Sequence, residues 1–197
     1  MRNSITPLPG GRLRKEYRGT LAWKREITLL RQMAGSGLCP ELLDAPLREA
    51  EMTECPGVPL GECIRTASRQ EAREMMAALA AWTDAFEREY HRRTGQTAVL
   101  EDLSPGNFLW DAASRKITGL DFEFWHTGSP AENRGGLLCM AERLKAAEIT
   151  GEELTGELYR QFRGGSDRAE LEHRAARARQ QTALRQRAMP LIRQTAG

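Results

Sequence analysis

Between Arg69 and Arg93 the apolar residues Ala72, Met75, Met76, Leu79, Trp82, Phe86 and Tyr90 recur at helical spacing, which predicts one long amphipathic helix. Upstream, Leu21, Trp23, Ile27, Leu30 and Met33 predict a second helix over Thr20 to Met33, with Thr20 as N-cap and Gly35 as the stop. Leu13, Lys15 and Tyr17 alternate with Arg14 and Glu16 in the period-two manner of a short strand, and Leu47 to Glu54 reads as another. Short strands are also expected at Val99 to Leu100, Phe108 to Trp110 and Ile117 to Leu120, separated by the turns Ser104-Pro105-Gly106 and Asp111-Ala112-Ala113-Ser114. Helices are expected to follow at Gly136 to Ala147, Gly151 to Phe162 and Asp167 to Met189. The opening stretch Met1 to Arg12 contains Pro7, Pro9, Gly10 and Gly11 and reads as an irregular or extended lead-in.

This order, a short mixed section and then a mostly helical one, is that of an α+β chain. The Pro/Gly-rich stretch Pro56 to Leu60 separates the two compositions, giving expected units of 1–57 and 58–197. At 197 residues, with 40% hydrophobic and 28% charged, the chain can bury a core without metal or disulfide staples. Cys39, Cys55, Cys63 and Cys139 form no C-x-x-C pair and read as reduced thiols. A net charge of +2 calls for no nucleic-acid or membrane partner. The arginine-rich stretch Asp167 to Arg193 lacks aromatics for base stacking and is expected to be a solvated helical face, with an RNA-associated kinase as the weaker alternative. No apolar run approaches the roughly 18 residues of a membrane span, and Met1 to Lys15 lacks the apolar core of a secretory signal, so a cytoplasmic protein is expected.

The chemistry concentrates between Asp102 and Asp121. Asp102 precedes Asn107 by five residues across the turn Ser104-Pro105-Gly106, and Asp121 follows Asn107 by fourteen, directly after an apolar run. Phosphoryl transfer supplies a reason for this set. Magnesium, which neutralises a transferring phosphoryl group, prefers hard oxygen ligands such as a carboxylate and an amide carbonyl, which Asp121 and Asn107 offer. A second carboxylate, Asp102, can orient an acceptor hydroxyl and take its proton. Each of these residues, taken singly, is also a common turn former.

Asp102-x-x-x-x-Asn107 followed by Asp121-Phe122-Glu123 resembles the catalytic loop and metal motif of the protein-kinase-like superfamily, in the style of the aminoglycoside and choline phosphotransferases. The resemblance implies a two-lobe fold with a truncated N-terminal lobe and a mainly helical C-terminal lobe. It makes Asp102 the catalytic base, Asn107 a metal ligand and Asp121 the principal one, and implies ATP and Mg2+ as cofactors. Lys15 becomes the strand lysine that contacts nucleotide phosphates, braced by Glu26 on the following helix; both otherwise read as surface charges. Glu51 to Leu60 resembles the hinge, which sets Thr53, Glu54 and Cys55 along the adenine; the alternative is a plain linker.

Two positions depart from the family pattern. Only Gly10-Gly11 stands where a glycine-rich phosphate hairpin is usual, and fourteen residues before Lys15 leave hardly any room for two strands and a covering turn. Leu100 stands where the family places a His that braces the catalytic loop. Glu123 and Ser104 receive no role, and Trp125-His126 reads as a packed aromatic with an acceptor-pocket alternative. The expectation is therefore a kinase acting on a small-molecule hydroxyl, with a protein acceptor next in line. The competing expectation is a catalytically inactive kinase-like binding module.

Overall fold

Three aromatic rings on one face of a single helix organise the fold. The computed structural model describes residues 3–162 and 169–180. Its elements run β1 (Ser4–Leu8), β2 (Arg12–Glu16), α1 (Thr20–Gln32), β3 (Leu42–Asp44), β4 (Glu49–Thr53), β5 (Val58–Pro59), α2 (Leu60–Thr66) and α3 (Arg69–Thr94). They continue with β6 (Ala98–Leu100), a 3-10 turn (Pro105–Asn107), β7 (Phe108–Asp111), β8 (Lys116–Gly119), β9 (Trp125–Thr127), α4 (Pro130–Ala141) and α5 (Gly151–Phe162). Residues 169–180 are helical.

The strands form three antiparallel groups: β1-β2-β4-β3, β5-β7-β8, and β6-β9. The four-stranded sheet and α1 come first, and the helices with the two smaller sheets follow. Helix α3 begins where the Ser68 hydroxyl and the Glu71 carboxylate cap one another's backbone N–H groups, and it ends at Gly95 in the left-handed region (φ 71°). On α3, Trp82, Phe86 and Tyr90 stand four residues apart, one above the other. Trp82 meets Phe108 of β7 at 5.2 Å between ring centroids, Phe86 stacks on Phe122 at 5.8 Å, and Tyr90 meets Trp125 of β9 at 5.9 Å. At three successive turns the helix thus grips the chain from Phe108 to Trp125, which includes Asp121.

Several sequence expectations are corrected. The lead-in contains β1, paired with β2 through a turn at Pro9, Gly10 and Gly11 in which both glycines take positive φ (79° and 66°). Four of its five side chains are exposed, so β1 lacks the apolar alternation that marks a half-buried strand. The helix expected from Gly136 starts six residues earlier, at Pro130, because Pro fits the first helical position and the Glu132 carboxylate accepts from the Ser129 N–H at 3.1 Å. It is over by Glu142, so the expected continuation to Ala147 is absent. Gly19, not Thr20, is the N-cap of α1. The helix expected at Gly151 to Phe162 spans those residues. Of the one expected at Asp167 to Met189, 169–180 is helical and the remainder lies outside the described residues. Among the described residues no helix is long and apolar enough to cross a membrane.

Gly119, the last residue of β8, leaves no room for a side chain: a Cβ there would lie 2.3 Å from the Trp82 ring and 3.0 Å from that of Phe122. Both rings are themselves packed in the aromatic stack. Gly119→Ala is accordingly expected to lower stability by about 1–3 kcal/mol through overpacking, read as a lower urea midpoint at unchanged slope.

Candidate functional site

The site is built around a buried ammonium group. Lys15 lies on β2, an interior strand of its sheet, opposite Ile5 of β1 and Ala50 of β4. Only 6% of the residue is exposed. A charge so far from water must be paired, and Lys15 Nζ has three carboxylate partners: Glu26 Oε2 at 2.7 Å, Asp121 Oδ1 at 2.5 Å and Glu123 Oε1 at 2.8 Å. Its three N–H donors match these three acceptors in number. The ring of Tyr17, two residues on and on the same strand face, lies 5.0 Å from Nζ.

Each carboxylate comes from a different setting. Glu26 is buried on α1, and its second oxygen, Oε1, accepts from the Phe122 N–H at 3.3 Å, so one side chain holds both the lysine and the loop after β8. Asp121 is more open and adopts φ 60°, a left-handed conformation that Asp tolerates better than most residues. Glu123 is buried, and its Oε1 also accepts from the Asn3 carboxamide just before β1. The loop is fixed further by the Trp125 indole N–H, which donates to the Arg25 carbonyl at 3.1 Å.

Burial would pull the Lys15 ammonium down, but Glu26 and Asp121 outweigh it and the net shift is upward. Burial pushes Glu26 up against the pull of Lys15, and pushes Glu123 up with a further contribution from the Asp121 charge. The Tyr17 phenol is raised by burial and by the neighbouring Glu26. Ligand oxygens of Glu26, Asp121 and Glu123 lie within 4.8 Å of one another. Three carboxylates against one ammonium leave an excess of negative charge, and a set of hard oxygens with that excess suits a divalent cation such as magnesium.

The segment from Asp102 to Asp121 meets this cluster through the backbone of Asn107. The Ser104 hydroxyl accepts from the Gly106 N–H and shapes the tight turn. Asn107 Nδ2 then donates to the Asp102 carbonyl at 3.1 Å, which occupies the donor half of the carboxamide and leaves its oxygen as the atom a hard cation would take. The Asn107 carbonyl accepts from the Leu120 N–H at 2.8 Å, and Phe108 pairs with Gly119 in the β7–β8 hairpin. Asn107 therefore stands beside the residue that precedes Asp121, with exposed Asp102 tied to its side chain.

Lys15 is brought into direct contact with Glu26 and Asp121, whereas Asn107 reaches the loop after β8 through its backbone bond to Leu120 and Asp102 is linked only to Asn107, through its carbonyl. Thr53, Glu54 and Cys55 lie apart, at the end of β4. The Thr53 N–H donates to the Glu41 carbonyl and the Glu54 N–H to the Gly11 carbonyl, so of these three only the Cys55 N–H has no backbone partner among the described residues. Sequence reasoning missed Glu123; its spacing of two from Asp121, between Phe122 and Phe124, was the available signal. Ser104 is a turn former. Trp125 is packed, and exposed His126 lies between Glu101 at 3.2 Å and Glu132 at 3.5 Å. Leu100 is braced without a histidine, its N–H donating to Asn133 Oδ1 at 2.8 Å.

No family model and no curated protein matches this sequence. Solved structures do match in shape. The gentamicin complex of APH(2'')-IIa superposes with a TM-score of 0.65 at 9% identity, over 88% of this chain and 77% of that one. The ADP-bound aminoglycoside phosphotransferase APH(2'')-Ib gives 0.60 at 11% identity, over 88% and 81%. A choline/ethanolamine kinase family protein from Mesorhizobium loti gives 0.62 at 16% identity, over 86% and 69%. Likeness at such low identity speaks for architecture alone, and by that measure the chain has the protein-kinase-like fold of the aminoglycoside phosphotransferases and choline/ethanolamine kinases.

Proposed function

We propose that this protein is an ATP- and magnesium-dependent phosphotransferase that moves a phosphoryl group to a hydroxyl of a small molecule. The observation that carries this reading is the convergence of Lys15, Glu26 and Asp121 beside Asn107. Asn107 and Asp121 would hold magnesium, with Glu26 and Glu123 adding to the negative field. Bound there, the cation would neutralise charge on the phosphate oxygens.

Lys15 has the position to donate to phosphate oxygens, and Glu26 keeps the ammonium aimed while it does so. Because all three of its donors are taken, Lys15 must give up Asp121 or Glu123 before it can bind phosphate, and a cation favours that exchange by taking over the released carboxylate. Asp102, exposed and tied through its carbonyl to Asn107, would orient the acceptor hydroxyl and take its proton as the new O–P bond forms and the bond to the leaving nucleotide oxygen breaks. Among Thr53, Glu54 and Cys55, Cys55 is the one whose backbone N–H could be offered to adenine. The expected units, 1–57 and 58–197, would then meet at the nucleotide. The likeness in shape to aminoglycoside phosphotransferases and to a choline/ethanolamine kinase family protein supports a small-molecule acceptor, and the proposed place of work is the cytoplasm.

A second reading, a nucleotide-binding module without turnover, draws support from the same saturation of Lys15. Turnover separates the two. ATP with magnesium is expected to raise the melting temperature, and Asp121→Asn is expected to abolish that shift. Asp102→Asn should keep the shift while ATP consumption with an acceptor panel falls about 10²–10⁴-fold. Absence of ATP consumption with every acceptor leaves only the module, and absence of magnesium-dependent binding removes both.

Lys15→Met leaves three carboxylates facing one another without a counter-charge, and is expected to cost about 3–5 kcal/mol at pH 8. The deficit should shrink toward pH 5. Glu26 and Glu123 already have raised pKa values, so their neutral forms favour the fold at low pH and that contribution is lost as pH rises through the raised values. Urea denaturation at the two pH values measures the difference.

A further inference from the structure

We propose that one face of α4, carrying Asn133 and Gly136, is the platform that sets Asp102, and that Glu87 on α3 in turn sets Asn133. The proposal rests on the reading of Asp102 as the base. Asn133, Gly136 and Glu87 are positioning residues that act through the loop.

Asn133 is 2% exposed and uses its carboxamide as a strand would use a peptide group. Its oxygen accepts from the Leu100 N–H at 2.8 Å, and its NH2 donates to the Ala98 carbonyl at 2.9 Å. Ala98 and Leu100 are the first and last residues of β6, whose opposite edge pairs with β9. One side chain thereby completes the second edge of the short strand that leads into Asp102. The same NH2 donates to Glu87 Oε1 at 3.2 Å, which fixes which way the amide points.

One helical turn further along α4, Gly136 supports the other side of Asp102. A Cβ at Gly136 would lie 2.4 Å from Leu103 Cδ1, so the Leu103 side chain rests directly on the helix backbone. Residues 100 and 103 flank Asp102 and are held from positions 133 and 136, which share a helix face. Between them, the Glu101 N–H donates to the Phe124 carbonyl at 2.9 Å. Asp102 is exposed to an acceptor but stands on a backbone anchored on both sides. This arrangement answers the missing histidine at Leu100.

Glu87 makes the platform responsive to pH. Its carboxyl is faced by Asn133 and Arg134 of α4 and by Asp84 of its own helix; Arg134 reaches Glu87 Oε2 at 3.3 Å and Asp84 Oδ1 at 3.0 Å, and lies over the Phe162 ring of α5. Burial pushes the Glu87 carboxyl up to about 7, against the pull of Arg134. Below that value the carboxyl is neutral. Above it the carboxylate accepts from the Asn133 amide more strongly, because a charged acceptor makes the stronger bond.

Backbone and side-chain amide resonances of the full chain test this without any need for turnover. In the parent protein the Leu100 amide should be protected from exchange, and the Leu100 and Asn133 amide signals should titrate together near pH 7. Asn133→Asp keeps the shape but loses both donors, and should speed Leu100 exchange at least tenfold. Glu87→Gln should keep the protection and lose the midpoint. In the double variant the Gln NH2 can donate to the new carboxylate, and protection should partly return. The melting shift given by ATP with magnesium should stay within twofold in every variant, while turnover in Asn133→Asp falls more than tenfold at a KM for ATP within threefold. Should Asn133→Asp fail to fold, Gly136→Ala serves in its place, with turnover lowered and Leu103 exchange altered at unchanged nucleotide binding. Leu100 exchange within twofold of the parent in Asn133→Asp, a midpoint near 7 that persists in Glu87→Gln, or unaltered Leu103 exchange in Gly136→Ala overturns the proposal. Loss of nucleotide binding or turnover in the parent itself counts against the proposed function and leaves the exchange result to judge the platform.

Discussion

An ammonium group buried inside a protein must be surrounded by acceptors, and the first half of this fold is arranged to meet that demand. Lys15 draws Glu26 from α1 and Asp121 and Glu123 from the loop after β8 to a single point. The four groups come from the sheet, its helix and a loop more than a hundred residues downstream in sequence. Breaking such a cluster by removing its cation strands the acids, whereas the intact cluster balances desolvation against mutual attraction. The net negative charge that remains is what the proposed divalent-cation site would draw on.

The second organising element is α3, whose Trp82, Phe86 and Tyr90 each meet one ring between Phe108 and Trp125. Aromatic stacking sets the height of this segment, and backbone pairing sets its register: β7 against β8 places Asn107 beside Leu120, one residue from Asp121. Helix α4 adds the last constraint through Asn133 and Gly136. The proposed transfer would need this kind of support, since a loop free to shift by an ångström loses its alignment with the reacting atoms. The polar site and the apolar core are joined at Phe122, whose ring stacks on α3 while its N–H holds Glu26.

Much of this is legible in the sequence because spacing encodes it. The apolar positions of α3 repeat at helical period along its length, and the Asp102, Asn107 and Asp121 spacing sits between apolar runs that had to pair. Lys15 and Glu26 can be named as partners because a strand and the next helix carry them. The features that stay hidden depend on tertiary context. β1 is an edge strand with exposed side chains and Pro7, so nothing in its pattern announces a ladder. The sequence pattern puts the start of α4 six residues late because that start is fixed by Pro130 and Glu132, while its apolar residues cluster toward its end. The short helix α2 is absent from the predicted elements because it offers only Leu60 and Ile64 as a buried apolar pair. Glu123 and Asn133 look like ordinary polar residues until the fold buries them.

One lysine ammonium is shared by three carboxylates. Nitrogen-15 spectroscopy of the lysine side chains tests it most directly. The account predicts one Nζ signal that stays protonated at about pH 10.5, where exposed lysines are half deprotonated, exchanges its protons slowly, and shifts when ATP and magnesium are added together. A spectrum in which the Lys15 signal, assigned by Lys15→Arg, titrates and exchanges like a surface lysine would contradict it.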